Sequence, residues 1–204
     1  MASSLWRGGA PLLLASTSPT RRMLLEAAGL PVETEAPGVD ERAIGDVMGG
    51  IDPRQIARRL AGEKAMAVSR RNPGRLVLGA DQTLEVQGDM LHKPADAEAA
   101  GRQLARLAGR RHSLHAAFAL VMDQGVVCEG VESARLTMRP LDDDAVARYL
   151  DLVGAAAVRS VGAYQIEGLG IHLFERIEGD HATILGLPLL SVLAGLRAMK
   201  LLAF

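Results

Sequence analysis

The chain has 204 residues, of which 49% are hydrophobic, so it is long enough to bury one sizeable core. Its formal net charge of -1 provides no basic surface for a nucleic-acid polymer, and any phosphate ligand must be met by local groups. The single cysteine excludes an internal disulfide and a cysteine-based zinc site, and it favours a reducing compartment, so we predict a cytoplasmic protein.

The N-terminal residues 1–11 lack the charged segment and apolar core of a secretory signal, and we predict a loose leader there. Residues 12–204 are predicted to form a single domain. No apolar run reaches the roughly 20 residues that a membrane crossing requires, so we expect no membrane span.

Residues 12–25 have the pattern of an apolar strand, a serine-rich turn and the start of a helix. Ser18 is a good N-cap, and the proline that follows it suits the first helical position. The first turn carries Arg21 and Arg22 but no acid, although cations oppose the dipole at a helix N-terminus. An anion bound by the free amides, the hydroxyls of Ser16 and Ser18 and the guanidinium groups would remove this conflict. The alternative is a surface helix whose arginines point into water.

An acidic loop follows the first helix. Gly29 is a natural C-cap, residues 31–35 are predicted to be extended, and residues 36–52 form a loop rich in glycine and acid. Asp40 and Glu41 lie side by side in this loop. They are either a solvated acidic pair or candidates for metal binding.

A long amphipathic helix is predicted over residues 53–71. Its apolar stripe consists of Ala57, Leu60, Ala61, Ala65 and Val68. Lys64 falls inside this stripe, so its ammonium group either reaches out to solvent or points into a cleft.

The next strand, residues 75–81, is an apolar run that ends in Asp81. Ligands of open α/β sheets gather beyond the carboxyl ends of strands, so Asp81 is well placed for chemistry. The alternative, which a lone aspartate at a strand end favours, is that it only starts a turn. Lys93 lies beside a rigid proline a few residues later. The chain has only three lysines, and two of them, Lys64 and Lys93, lie near candidate site elements, where a compact ammonium is favoured over a planar guanidinium.

The later segments predict scaffold elements and one glycine-punctuated strand or bulge over residues 162–170, where Gln165 and Glu167 would share a face. The other predicted elements are a helix over 97–108 capped by Asp96, strands over 111–122 and 125–138, a helix over 142–153, a strand over 171–177 and a core helix over 189–202.

Several well-known motifs are absent from the sequence. There is no Walker A loop and no GxGxxG after a strand, which argues against kinase-like and dinucleotide-binding classes. The five histidines lack HxxxH and HExxH spacing, and no GxSxG elbow occurs. A zinc centre and a triad hydrolase are therefore not predicted.

A set of segments in fixed order resembles one protein family. These segments are ASTSPTRRMLLEAAGL at 15–30, VDE at 39–41, EKA at 63–65, GADQ at 79–82, HKP at 92–94, GAYQIEG at 162–168 and GLPL at 186–189. They are similar to the Maf family of nucleoside triphosphate pyrophosphatases, also named septum formation inhibitors. The resemblance implies an α/β fold like that of Maf and inosine triphosphatases, with a mixed twisted sheet flanked by helices and two lobes around a central cleft. It also implies a homodimer that hydrolyses a small nucleotide between the α and β phosphates with Mg²⁺ or Mn²⁺.

The resemblance also implies a set of site residues. They are Ser16, Arg21, Glu41, Lys64, Asp81 and Lys93. Our hypothesis is that Asp81 acts as general base on a metal-bound water, with Glu41 helping to hold the metal. The remaining members would neutralise charge on the phosphates, where enzymes of phosphoryl chemistry gain most.

Three positions depart from the most common family pattern, and they resemble the branch that prefers 7-methyl-GTP. They are Thr20, Gln82 and Glu167. A carboxylate only accepts hydrogen bonds, which suits the donors on the guanine edge and the positive charge of a methylated purine. Alternatively, Glu167 faces solvent or pairs with Arg176, and Gln165 reads the base instead. Thr20 also departs from that branch, where a tryptophan occurs.

Two other functions remain open at this point. The first is a dTTP or UTP pyrophosphatase of the same family, and the favoured role in either case is housecleaning of the nucleotide pool. The second is a non-catalytic regulator of septum formation. Nucleic-acid binding is not expected, because the chain has only three Phe, two Tyr and one Trp as stacking platforms.

Overall fold

The computed structural model describes residues 5–41 and 51–204. Seven strands form one mixed sheet in the order β2-β1-β3-β5-β6-β7, with β4 paired to β3. The strands are β1 (Leu12–Ala15), β2 (Val32–Thr34), β3 (Leu76–Val86), β4 (Asp89–Leu91), β5 (Arg111–Met122), β6 (Gly125–Met138) and β7 (Phe174–Glu178). The strands β1, β2 and β3 are parallel, whereas the pairs β3–β4 and β6–β7 are antiparallel.

The helices of the described residues lie between and after these strands. They are α1 (Pro19–Ala27), α2 (Pro53–Arg71), α3 (Ala97–Leu107), α4 (Asp143–Val153), α5 (His181–Ile184) and α6 (Leu189–Ala198), with 3-10 helices at Gly154–Val158, Val161–Ala163 and Leu169–Leu173. The predicted class, an α/β fold with a mixed sheet flanked by helices, is confirmed. Within residues 5–41 and 51–204, no helix has the length and apolar character that a membrane crossing requires.

The chain divides into two compact units. Unit 1 comprises Met1–Gln82, Ala116–Glu132 and Asp180–Phe204, and unit 2 comprises Thr83–His115 and Ser133–Gly179. The predicted single domain and the predicted cleft between lobes stay predictions.

Unit 1 has helices on both faces of its part of the sheet. Alternate residues of β1 point to opposite faces, and each set packs against different helices. Leu12 and Leu14 belong to a buried cluster that includes Leu25 of α1 and Leu196 of α6. Leu13 and Ala15 belong to a second cluster with Ala65 and Val68 of α2. The nearly continuous apolar sequence of β1 is therefore explained by burial on both faces.

Part of the predicted leader is held against the end of the chain in unit 1. Trp6 and Leu202 form an antiparallel bridge, and the amide of Arg7 donates to the carbonyl of Leu201 at 2.9 Å. The amide of Ala203 donates to the carbonyl of Leu5, also at 2.9 Å. Residues 1–4 and residues 42–50 of the predicted acidic loop lie outside the described residues.

The first helix confirms the prediction from capping chemistry, and the second confirms the prediction from apolar periodicity. The Ser18 hydroxyl accepts from the amide of Arg21 at 3.3 Å, and the chain leaves α1 through Gly29 at φ +78°. The long helix α2 has the predicted bounds. Its N-cap is Asp52, whose carboxylate accepts from the amide of Arg54 at 2.9 Å.

The predicted end of β3 is corrected by the structure. The strand does not stop at Asp81 but continues to Val86, so Asp81 lies inside a strand. Its second half pairs with β4, with Leu84 opposite Leu91 and Val86 opposite Asp89. This pairing partner is formed by a hairpin further along the chain, which an apolar run that ends at residue 81 does not reveal.

Three later boundaries are also corrected. Residues 162–170 contain parts of two 3-10 helices and no strand, since Gly162 takes φ +82° and interrupts an extended backbone. The shared face predicted for a strand there is therefore lost. The strand predicted over 171–177 is Phe174–Glu178, and the last helix, predicted over 189–202, ends at Ala198 because Leu202 joins the bridge described above.

Unit 2 contains a buried aromatic cluster around His112 of β5. The Nε2 atom of His112 lies 2.7 Å from the Tyr164 hydroxyl, and the Tyr164 ring packs edge-on against Phe174 with centroids 4.8 Å apart. Among the described residues, Nδ1 of His112 has no hydrogen-bond partner. Burial lowers the pKa of His112 to about 4, and burial raises the pKa of Tyr164. The imidazole is therefore neutral at physiological pH.

This cluster predicts acid lability. The unfolded chain binds a proton at His112 below about pH 6.5 while the folded chain does not, so the free energy of unfolding falls as the pH drops toward 4. We expect the loss from this residue to approach about 3 kcal/mol. Urea unfolding of His112→Gln at pH 7 and pH 4.5 should show a smaller acid loss than the parent, whereas the exposed control His172→Gln should match it. Equal acid losses in the parent and in His112→Gln would contradict this.

Candidate active site

The loop between β1 and α1 forms a cradle for an anion. Ser16, directly after β1, is buried, and its Oγ accepts from the amide of Ser18 at 3.2 Å and from Arg21 Nη1 at 3.3 Å. These contacts use oxygen lone pairs, so the hydroxyl hydrogen can be donated to a ligand. Because amides at a helix N-terminus attract anions, this loop has the chemistry of a phosphate site.

The two arginines of the first helical turn have different environments. Arg22 is exposed and pairs with Glu26 at 2.7 Å, one turn along α1. Arg21 is half-buried, and its Nε donates to the carbonyl of Gly186 at 2.9 Å. Burial lowers the pKa of Arg21, and the carboxylates of Asp81 and Glu41 oppose this. The alternative in which both arginines point into water therefore holds for Arg22 alone. Arg21 belongs to the cradle.

The ammonium of Lys64 lies between two carboxylates. Its Nζ is 2.5 Å from Asp81 Oδ1 and 2.8 Å from Glu41 Oε1. The side chains of Lys64 and Asp81 are 6% and 8% exposed, whereas that of Glu41 is 55% exposed, so a largely buried pair is joined by a carboxylate open to solvent. Of the two orientations that the sequence left open for Lys64, the inward one is observed.

Gly79 explains how this pair forms. A Cβ on Gly79 would lie 2.1 Å from the carbonyl oxygen of Ala61 and 2.8 Å from Cβ of Ala65, so α2 packs directly on the backbone of β3. Residues two apart share a strand face, which places Asp81 on the side of α2 that carries Lys64. In the parallel pairing, Gly79 is opposite Ala15, so Asp81 lies just beyond the carboxyl end of β1.

The ionisation of Asp81 is set by opposing effects. Burial raises the pKa of the Asp81 carboxyl above its ordinary value, and the positive charges of Lys64 and Arg21 oppose this. The Lys64 contact uses Oδ1. The other carboxylate oxygen can accept a proton, and a raised pKa makes it a stronger base than an ordinary aspartate.

The net charge and the oxygen donors of the site residues indicate whether a divalent metal ion fits there. The cations Arg21 and Lys64 and the anions Asp81 and Glu41 cancel, so the four residues alone offer no net positive charge to a polyphosphate. The carboxylates of Asp81 and Glu41 both contact the Lys64 ammonium, so they lie close together. Their oxygens are the kind of ligand that Mg²⁺ and Mn²⁺ prefer. No group of three or more His, Cys, Asp or Glu suited to a metal occurs in the described part of the chain. The residues present fit an ion such as Mg²⁺ that keeps waters and phosphate oxygens as its other ligands.

The other predicted site residues have different locations. Thr20 is half-buried in the first turn of α1, and Gln82 follows Asp81 on β3, both in unit 1. Lys93 and Glu167 are exposed residues of unit 2, the first after β4 and the second between two 3-10 helices. The alternative pairing of Glu167 with Arg176 is not observed, since Arg176 pairs with Glu178 at 2.9 Å.

Two features at the site were not identified from the sequence. One is the close approach at Gly79, whose signal is a glycine two residues before the acid. The other is the short helix α5 and the turn after it, which supply the Gly186 carbonyl to Arg21. A four-residue helix is too short to show a helical period, and the only signal was the segment GLPL.

Together these features define a mixed α/β protein with an anion cradle at the start of its first helix, beside a buried ammonium–carboxylate pair. A family model described as Maf-like protein matches residues 11–199. The chain belongs to the Maf family.

Similar proteins cover nearly the whole chain. A protein of Nitrobacter winogradskyi named nucleoside triphosphate pyrophosphatase is 56% identical over 200 residues, which are 98% of this chain and 99% of that protein. A protein of Mesorhizobium japonicum named 7-methyl-GTP pyrophosphatase is 52% identical over 190 residues, which are 92% of this chain and 96% of that protein. A solved structure of a HAM1 protein from Coxiella burnetii has a TM-score of 0.39 and 16% identity, and the match covers 62% of this chain and 72% of that one.

Proposed function

We propose that this protein hydrolyses a nucleoside triphosphate to the monophosphate and pyrophosphate. The observation that carries the proposal is the Lys64 ammonium held by the Asp81 and Glu41 carboxylates beside the anion cradle of Ser16 and Arg21. Two relatives that cover nearly the whole chain are named as pyrophosphatases of this kind, which supports the same reaction.

Each candidate site residue of unit 1 has a defined part in the proposed reaction. Ser16 and Arg21 bind phosphate oxygens at the start of α1. Asp81 takes a proton from the attacking water while the water oxygen bonds to the α-phosphorus. The bond from that phosphorus to the bridging oxygen breaks, and pyrophosphate leaves with the electron pair. Lys64 keeps Asp81 in place and stabilises the negative charge that develops on the phosphates.

A divalent cation, Mg²⁺ or Mn²⁺, is part of the proposal, and Glu41 and Asp81 are the residues that would hold it. Such an ion neutralises phosphate charge and polarises phosphoryl oxygens when bound. This complements a site whose own charged residues cancel.

We propose 7-methyl-GTP as the substrate. The exposed carboxylate of Glu167 accepts hydrogen bonds and does not donate them, which suits the N1–H and N2–H₂ donors of guanine and the positive charge of a 7-methylated base. The relative from Mesorhizobium japonicum is named for this substrate. Lys93 as a phosphate ligand, Thr20 as a base contact, a homodimer and a cytoplasmic location complete the proposal.

The test is pyrophosphate release from 7-methyl-GTP, GTP, dTTP, UTP, CTP and ATP with Mg²⁺ or Mn²⁺. We expect turnover of 7-methyl-GTP to exceed that of the others. Glu167→Gln replaces an acceptor by an amide and should lower kcat/KM for 7-methyl-GTP by roughly tenfold, because a charged acceptor forms the stronger hydrogen bond. The exposed control Glu175→Gln on β7 should match the parent.

Each other result corrects a defined part of the proposal. Preference for dTTP or UTP, unchanged in Glu167→Gln, would retain the reaction and overturn the substrate. A protein that hydrolyses none of the six nucleotides with either ion would overturn the reaction, and a non-catalytic regulator of septum formation would then be favoured.

A further inference from the structure

The side chain of Gln82 holds a turn of the backbone in unit 1. Its Nε2 donates to the carbonyl oxygens of Thr183 and Ile184, each at 3.0 Å. Both hydrogens of the amide are therefore engaged. Successive residues of a strand point to opposite faces, so Gln82 lies on the face of β3 opposite to the one that carries Asp81.

The same turn is fixed from a second direction by Asp180, the N-cap of α5. Its Oδ2 accepts from the amide of Thr183 at 2.9 Å and from the Thr183 hydroxyl at 3.1 Å. Thr183 is buried. The amide of Gly186 then donates to the carbonyl of Thr183 at 3.1 Å, which closes the turn.

Gly186 connects this turn to the anion cradle. It takes φ +94°, a conformation that favours glycine, and its carbonyl accepts from Arg21 Nε at 2.9 Å. A Cβ on Gly186 would lie 3.6 Å from Arg21 Nε and 3.6 Å from Gln82 Oε1, so both side chains converge on this glycine. The guanidinium is thereby oriented with Nη1 toward Ser16.

We propose that Gln82 is a positioning residue for the phosphate cradle. It holds the turn of residues 183–186, and the Gly186 carbonyl of that turn sets the orientation of Arg21. Through Arg21, Gln82 then governs how the phosphates are bound. The inference rests on the proposed function, because it concerns the triphosphate site of that reaction.

The first test replaces Gln82 by methionine, which has similar length and no donor. We expect kcat/KM to fall roughly 10- to 100-fold through misplacement of Arg21. Gln55→Met on the exposed face of α2 is the matched control and should leave kcat/KM unchanged. A kcat/KM of Gln82→Met that equals that of Gln55→Met would overturn the proposal.

A double-mutant cycle separates positioning from a general loss of structure. In an Arg21→Lys background, where the guanidinium is absent, Gln82→Met should lower kcat/KM less than about twofold, since residues that act through one another are not additive. Gly186→Ala strains the turn at the other end and should behave like Gln82→Met in the cycle. Losses that multiply independently would overturn the proposal.

Binding of inorganic pyrophosphate, measured by calorimetry, tests the inference without catalysis. The affinity should fall in Gln82→Met and in Gly186→Ala, and it should match the parent in Gln55→Met. If the parent hydrolyses no nucleotide but these affinities change as expected, the proposed reaction fails and the positioning role stands. If the parent is active and the affinities are unchanged, only the positioning role fails.

Discussion

Replacement of Asp81 by asparagine is expected to lower kcat for pyrophosphate release by roughly 10²- to 10⁴-fold, the usual contribution of a general base. Asparagine has nearly the same shape, and its amide oxygen can still accept from Lys64, so the fold and the cradle should survive. What is lost is the capacity of the side chain to take a proton and to act as a negatively charged donor toward Mg²⁺. Steady-state pyrophosphate release measures the effect.

The pH profile provides an independent check of the same assignment. Burial raises the pKa of Asp81, so the acid limb of kcat/KM in the parent should lie above the ordinary range of an aspartate. Activity is lost as the pH falls through this value because the carboxylate becomes protonated. The residual activity of Asp81→Asn should lack that limb. Asp151→Asn, an exposed position on α4, serves as control, and parental turnover in Asp81→Asn would refute the role of the carboxylate.

Local chemistry was sufficient to predict the elements whose ends are determined within a few residues. Ser18 and Gly29 define α1, and Asp96 caps α3 as predicted. The helix predicted to begin at Asp142 begins at Asp143, with Asp142 as its N-cap. The strands β5 and β6 were also predicted with the bounds that the structure shows, and Asp123 and Gln124 between them take the positive φ of a turn. In each case, the deciding interactions lie within about four residues of the boundary.

The errors occur where the deciding partner is distant in sequence. Asp81 was predicted to end a strand, yet residues 82–86 remain extended because β4 pairs with them. The segment 162–170 was predicted as a strand or bulge punctuated by glycines. In the structure, the amide of Gly162 donates to Gln103 of α3, and this contact is one that periodicity cannot indicate.

In the candidate site, too, local sequence identified the residues, whereas their orientation depends on partners distant in sequence. Lys64 was recognisable as a lysine within an apolar stripe, but its direction depends on Gly79, which lets α2 approach β3 closely. Gln82 was assigned to base specificity from the resemblance alone. The carbonyls that engage its amide come from residues 183 and 184, about a hundred positions later in the chain.

Lys64→Met is expected to lower the free energy of unfolding at pH 7.5 by about 3 kcal/mol, toward the lower end of the usual cost of breaking a buried ion pair. Methionine preserves the length and apolar contacts of the side chain but leaves the Asp81 carboxylate buried without its ammonium. Arg21 still compensates part of this charge, and Glu41 is exposed enough for water to solvate it. Urea unfolding followed by circular dichroism measures the loss, and Lys200→Met, at an exposed lysine, is the control.

The pH dependence identifies the buried carboxylate as the cause of this loss. Without the ammonium, burial raises the pKa of Asp81 further above its value in the unfolded chain. A carboxyl whose folded pKa is raised destabilises the fold above the unfolded pKa, and the penalty disappears as the pH falls through the folded pKa. The deficit of Lys64→Met should therefore shrink between pH 7.5 and pH 5, and the double variant Lys64→Met/Asp81→Asn should regain most of the stability at pH 7.5. A deficit that is the same at both pH values, and that the second substitution leaves in place, would mean that Lys64 contributes through packing alone and that its charge is not needed to keep Asp81 ionised.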